Sequence, residues 1–170
     1  CCICKRIKTL LIKQPAGFGD ILFCQKIAKV FRESTEYKEI IWPVASVYSY
    51  IQEYMGNDNF HFPSEDEDFS FKEIWKSGHH QCLQSEEFLY IPLQYADFTI
   101  SKCTCHDSRR AHGHIKYNFV NMDYLDWKDY LSFRRFSDRE DALVEHLGLD
   151  LSEPYNVFKK SCGTPPYCEY

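Results

Sequence analysis

The stretch KTLLIKQPAGFGDILFCQKIAKVF, residues 8 to 31, most narrowly limits what this chain folds into. An apolar run ends in a turn with glycines at 17 and 19, and Asp20 then opens an amphipathic segment. This reads as a strand over Arg6–Lys13, the turn QPAGFG and a helix over Asp20–Arg32. Ile21, Leu22, Ile27, Ala28 and Phe31 share one side of that helix, with Lys26, Lys29 and Arg32 largely off it. A second round follows. EIIWPV (Glu39–Val44) reads as a strand, Ala45–Met55 as a helix stopped by Gly56 and Asn57, and Phe60–Pro63 as a third strand. Strand and helix alternating at this rhythm predict an α/β fold, a Rossmann-like parallel sheet with flanking helices.

The remainder is less regular. SEDEDFSFKE (64–73) reads as an acidic surface excursion and FLYIPL (Phe88–Leu93) as a fourth strand. Residues 94–115 read as loop, and Asn118–Leu149 as mostly helical in two or three pieces. Pro154 marks a boundary, and YNVFK (Tyr155–Lys159) reads as a late strand that begins something new. The domains expected are therefore 1–153 and 154–170, the second being the start of a further domain. The chain begins at Cys1 rather than Met and ends on GTPPYCEY, so a piece of a longer polypeptide is expected.

Net charge is −5, which argues against a nucleic-acid backbone as partner. No stretch approaches the ~20 apolar residues that span a bilayer, so no transmembrane segment is expected. The nine cysteines are irregularly spaced in a chain of 170 residues, long enough to build a core without staples. Reduced thiols and a cytoplasmic location are expected.

A glycine turn between strand and helix is a general ligand cradle. A dinucleotide site needs G-x-G-x-x-G, but Leu22 holds the third position and Pro43 stands where an acidic residue should meet the ribose. A phosphate P-loop needs G-K-[ST], which is missing. Asp20 is then either a first-turn or N-cap residue of the helix, or a carboxylate placed to accept a substrate proton.

Three stretches, in order, resemble a known family. GFGDILFCQKIAKVF with EIIWPVASVYSYIQEYM, then KYNFVNMDYLDWKDYLSFRR (116–135), then YNVFKKSCGTPP (155–166), are similar to the GT-B glycosyltransferases. The likeness is to the heptosyltransferase-related group of bacteria and large DNA viruses, and it covers most of the chain apart from 60–115. The resemblance implies the N-terminal half of a GT-B fold, which binds the acceptor. A sugar would pass from a nucleotide-sugar co-substrate to an acceptor hydroxyl, without cofactor or catalytic metal. It implies Asp20 as general base, and Lys116 matches its second segment; Gly17, Phe18, Gly19 and Trp127 are the further acceptor-side candidates. Lys159, Lys160, Gly163 and Thr164 would face the donor, although the family favours Asn before the basic residue where this chain has Lys159. With most of the donor half absent, the chain is expected to be inactive alone. The alternative is a non-catalytic glycan-binding or interaction module on the same fold.

Other constellations are weaker. CTCHDSRRAHGH (103–114) holds zinc-ligand residue types, but without paired C-x-x-C knuckles no metal site is expected. No local signature supports a Cys/His nucleophile pair. Tyr124, Trp127 and Tyr130 recur at helical spacing, which suits core packing or the edge of an acceptor cleft beside Asp123, Asp126 or Lys128. Arg134 and Arg135 suit a solvated helix face or a substrate phosphate.

Overall fold

A computed structural model describes residues 8–34, 36–96, 111–150 and 152. The chain divides into two compact units, Cys1–Arg134 and Arg135–Tyr170. The expected boundary at 153/154 and the late strand at 155–159 lie outside the described residues, as do most of the cysteines and histidines of 103–114.

The first unit is a mixed α/β structure around a five-stranded sheet in the order β3-β2-β1-β5-β4. The strands are β1 (Lys8–Ile12), β2 (Tyr37–Ile41), β3 (Phe60–His61), β4 (Leu83–Gln84) and β5 (Phe88–Ile91). β1 pairs in parallel with β2 and β5, and β2 with β3. Only β4 is antiparallel, at the edge beside β5. This is compatible with a Rossmann-like arrangement.

β1 is the central strand because its apolar run is continuous. Leu10, Leu11 and Ile12 are all fully buried, as in a strand covered on both faces. Successive side chains point to opposite faces. Leu10 and Ile12 join Ile21, Ile27, Ile40, Trp42 and Tyr117 in the larger core, while Leu11 joins Ile41, Tyr90 and Trp75 in the smaller one. The larger face carries α1 (Phe18–Phe23), α2 (Gln25–Glu33) and α5 (Ala111–Phe119); the smaller carries α4 (Lys72–Lys76).

The predicted helix over 20–32 is two helices. It breaks at Cys24, whose φ of −84° and ψ of 0° leave the helical region. The predicted helix over 45–55 is a 3-10 turn, Ser46–Tyr48, followed by α3 (Ile51–Met55). The predicted loop over 94–115 gives way to α5 from Ala111, and Asn121, two residues past its end at Phe119, turns the chain with a φ of 55°. The predicted helix over 118–149 holds only the end of α5, a 3-10 turn at Trp127–Tyr130 and α6 (Ser137–Leu147).

Residues 120–134 form a strap instead. Lys26, buried, donates to the Asp123 carbonyl at 2.5 Å and pairs with the Asp126 carboxylate. Lys29 donates to the Tyr130 carbonyl at 2.6 Å, and the Arg134 N–H to the Tyr54 carbonyl at 2.7 Å.

The second unit contains α6. Gly148 closes it with a φ of 61°, its N–H bonding the Glu145 carbonyl while the Leu149 N–H bonds that of Val144. Arg135 pairs with Glu140. No helix among the described residues is long and apolar enough to cross a membrane.

Candidate functional site

In an open α/β sheet, ligands bind outside the carboxyl ends of the strands where the chain order reverses. Here that point lies between β1 and β5, because β1 has β2 on one side and β5 on the other. The turn after β1 and the segment after β5 meet there. The Lys13 N–H bonds the Ile91 carbonyl at 2.9 Å, and the Gln94 N–H bonds the Lys13 carbonyl at 2.9 Å.

Gln14 organises the turn. Its carbonyl accepts the Trp42 indole N–H at 3.0 Å, and its Nε2 donates to the Ala16 carbonyl at 2.7 Å. Its Oε1 accepts from Lys116 Nζ at 2.5 Å. Lys116 is buried, 102 residues further along the chain, and its Nζ also lies 3.4 Å from the Leu93 carbonyl. An ammonium thus spans the ends of β1 and β5 with neutral oxygens as its partners.

Gly17 precedes α1 with a φ of 80°, a backbone conformation suited to glycine. A Cβ there would also sit 2.6 Å from Asp20 Oδ2, so the carboxylate folds back over Gly17. Gly19 is different: a Cβ on it would meet nothing within 4 Å, so the space over it is open. Asp20 stands in the first turn of α1, half-buried, and makes no side-chain capping bond. Its carboxylate has no hydrogen-bond or ion-pair partner among the described residues. Of the two structural roles open to it in the sequence, the first-turn position is the one found.

One turn below, Cys24 is fully buried. Burial pushes its thiol up to about 12, with the Lys116 charge opposing and the Asp20 charge reinforcing. It stays protonated at neutral pH and is no nucleophile.

Beside the turn is an aromatic cavity of about 220 Å³, lined by Phe18, Tyr50, Ile51, Tyr54, Met55 and Phe133. The Phe18 and Tyr50 rings are 6.1 Å apart, and Tyr50 meets Tyr54 edge-on at 6.3 Å. Trp127 is not among these rings. It packs edge-on against Phe23 at 4.9 Å, at the margin of the larger core.

The structure therefore brings Gly17, Phe18, Gly19 and Asp20 together, and carries Lys116 to the base of their turn. Lys159, Lys160, Gly163 and Thr164 lie outside the described residues. Among the described residues no cluster of three or more His, Cys, Asp or Glu is placed to hold a metal. Sequence reasoning missed Gln14, Tyr50, Tyr54 and Phe133. Tyr50 and Tyr54 carried a usable signal, four residues apart on one face of the helix predicted over Ala45–Met55, whereas nothing local marks Gln14 or Phe133. Compared with family models, curated proteins and solved structures, the chain matches none.

Proposed function

We propose that this chain is the acceptor-binding half of a GT-B glycosyltransferase, with Asp20 as general base. The observation that carries the reading is the Asp20 carboxylate. It is half-buried and unpartnered, at the carboxyl end of the central strand, with open space over Gly19 and an aromatic cavity beside Phe18. A carboxylate left without a partner at such a point is available to take a proton. Aromatic rings suit the apolar face of a sugar ring, and Phe18, Tyr50 and Tyr54 supply them.

In the reaction proposed, the acceptor hydroxyl attacks the anomeric carbon of a nucleotide-sugar. A carbon–oxygen bond forms there as the bond to the nucleotide's phosphate oxygen breaks. The hydroxyl proton passes to Asp20, and the nucleotide leaves with the bonding pair. The buried Lys116 ammonium holds Gln14, and through it the turn, in place. The donor would be held by a second domain that opens near 154, with Lys159, Lys160, Gly163 and Thr164 on that side.

The test is a transfer assay on the complete natural gene product with a panel of nucleotide-sugars, each product identified by its mass. Mass addition of one hexose or heptose to an acceptor supports the reading, and no transfer from any donor opposes it. The aromatic cavity favours a second reading, a glycan-binding module without catalysis. That module would bind glycans with an affinity indifferent to Asp20→Asn and would transfer nothing.

A further inference from the structure

A second cleft lies at the other end of the sheet. It has a volume of about 470 Å³, within the range of small-molecule sites. Its walls are the last turns of α2, with Lys29, Arg32 and Glu33, and the segment Asn57–Asn59 that leads into β3. The buried ring of Phe60 is its apolar surface. Because β1, β2 and β3 run parallel, the start of β3 is at the amino ends of the strands, away from Asp20.

Its charged groups are largely uncommitted. The half-buried Arg32 guanidinium has no hydrogen-bond or ion-pair partner among the described residues, and neither has the Asp58 carboxylate. Lys29 spends two of its three N–H donors on the Tyr130 carbonyl and on Ser132 Oγ, at 2.6 and 2.7 Å. Glu33 is close enough to act on Lys29 electrostatically. Asn57 Oδ1 accepts the Asn59 N–H at 3.0 Å, which leaves the Asn57 amide donors and the whole Asn59 side-chain amide for a ligand.

Two cations and two carboxylates line one small cleft. A plain anion would meet Glu33 and Asp58, and a plain cation would meet Arg32 and Lys29. We propose that this cleft binds a compact zwitterion of hydroxylated character. Its phosphate or carboxylate group faces the Arg32 fork, its ammonium faces Asp58 and Glu33, and its hydroxyls meet the asparagine amides.

The test is calorimetric titration of the whole chain with glucosamine 6-phosphate, which carries both charges on a polyol. Glucose 6-phosphate and glucosamine, each carrying one, are the controls. The proposal expects glucosamine 6-phosphate to bind at least about tenfold more tightly than either control. Arg32→Gln and Asp58→Asn should each weaken it by about tenfold or more, with thermal unfolding unchanged. If Arg32→Gln does not fold, Arg32→Lys keeps the charge, loses the fork and should still weaken binding. The proposal is overturned by no binding up to ~10 mM, by equal affinity for all three sugars, or by binding that both substitutions leave intact.

Discussion

Two glycines two residues apart, one before α1 and one inside it, have opposite physics. Gly17 is held at a φ of 80° with the Asp20 carboxylate against its open side. Gly17→Ala should cost about 1–2 kcal/mol in urea denaturation, because a Cβ is strained in that backbone region. Gly19 lies inside α1 with nothing near its missing Cβ. Gly19→Ala should raise stability by about 0.5–1 kcal/mol, since glycine is a poor helix residue. On the proposed function it should also weaken acceptor binding, so stability and affinity would move in opposite directions. Lys116 gives a third test. Lys116→Met leaves Gln14 Oε1 buried without its donor, at a cost of about 1–3 kcal/mol. Adding Gln14→Leu should recover stability relative to the single variant, as a thermal melt of each would read. Gly17 and Asp20 are legible in the sequence because a turn and a helix start are local events. Gln14 is not, because its partners Trp42 and Lys116 lie 28 and 102 residues away.

Single elements show where local pattern fails. The first strand and its helix are legible because burial and periodicity agree over several turns. The break at Cys24 is not, since neither Pro nor Gly marks it. Tyr124, Trp127 and Tyr130 have helical spacing, yet the chain there is an irregular strap fixed from outside by Lys26 and Lys29. Their tertiary hydrogen bonds override a weak local preference. That strap has a pH signature. The hydrogen bond from Lys26 is the main cause holding the Asp126 carboxyl below the usual carboxylate range. A depressed carboxyl stabilises fully above its unfolded value, near pH ~3.9, and loses that contribution as pH falls through its folded value. The protection of the amides across 123–132, taken as intrinsic over observed exchange rate, should therefore drop as pH falls below ~4. Asp126→Asn should exchange faster at neutral pH and lose the acid-dependent step.

At the scale of the whole molecule, the parallel sheet is legible from the alternation of apolar strands and amphipathic helices. The antiparallel edge β4 and the helix α4 are not, because two- and five-residue elements carry no measurable period. They matter nonetheless, since α4 supplies Trp75 to the second core and so makes β1 a strand buried on both faces. Leu10→Ala and Leu11→Ala, on opposite faces, should each destabilise the fold by about 2–5 kcal/mol in denaturant titration. A sheet covered on one face alone would show that loss at Leu10 only. Asp20 stands in the first turn of the helix that follows β1, next to the open space over Gly19, and on that carboxylate the proposed chemistry depends. Its most direct measurement is single-turnover sugar transfer by the complete gene product, wild type against Asp20→Asn, with acceptor affinity measured in parallel. A general base predicts that the substitution lowers the transfer rate by about 10²–10⁴ while acceptor affinity stays near that of the wild type. Transfer at an undiminished rate by Asp20→Asn would contradict it.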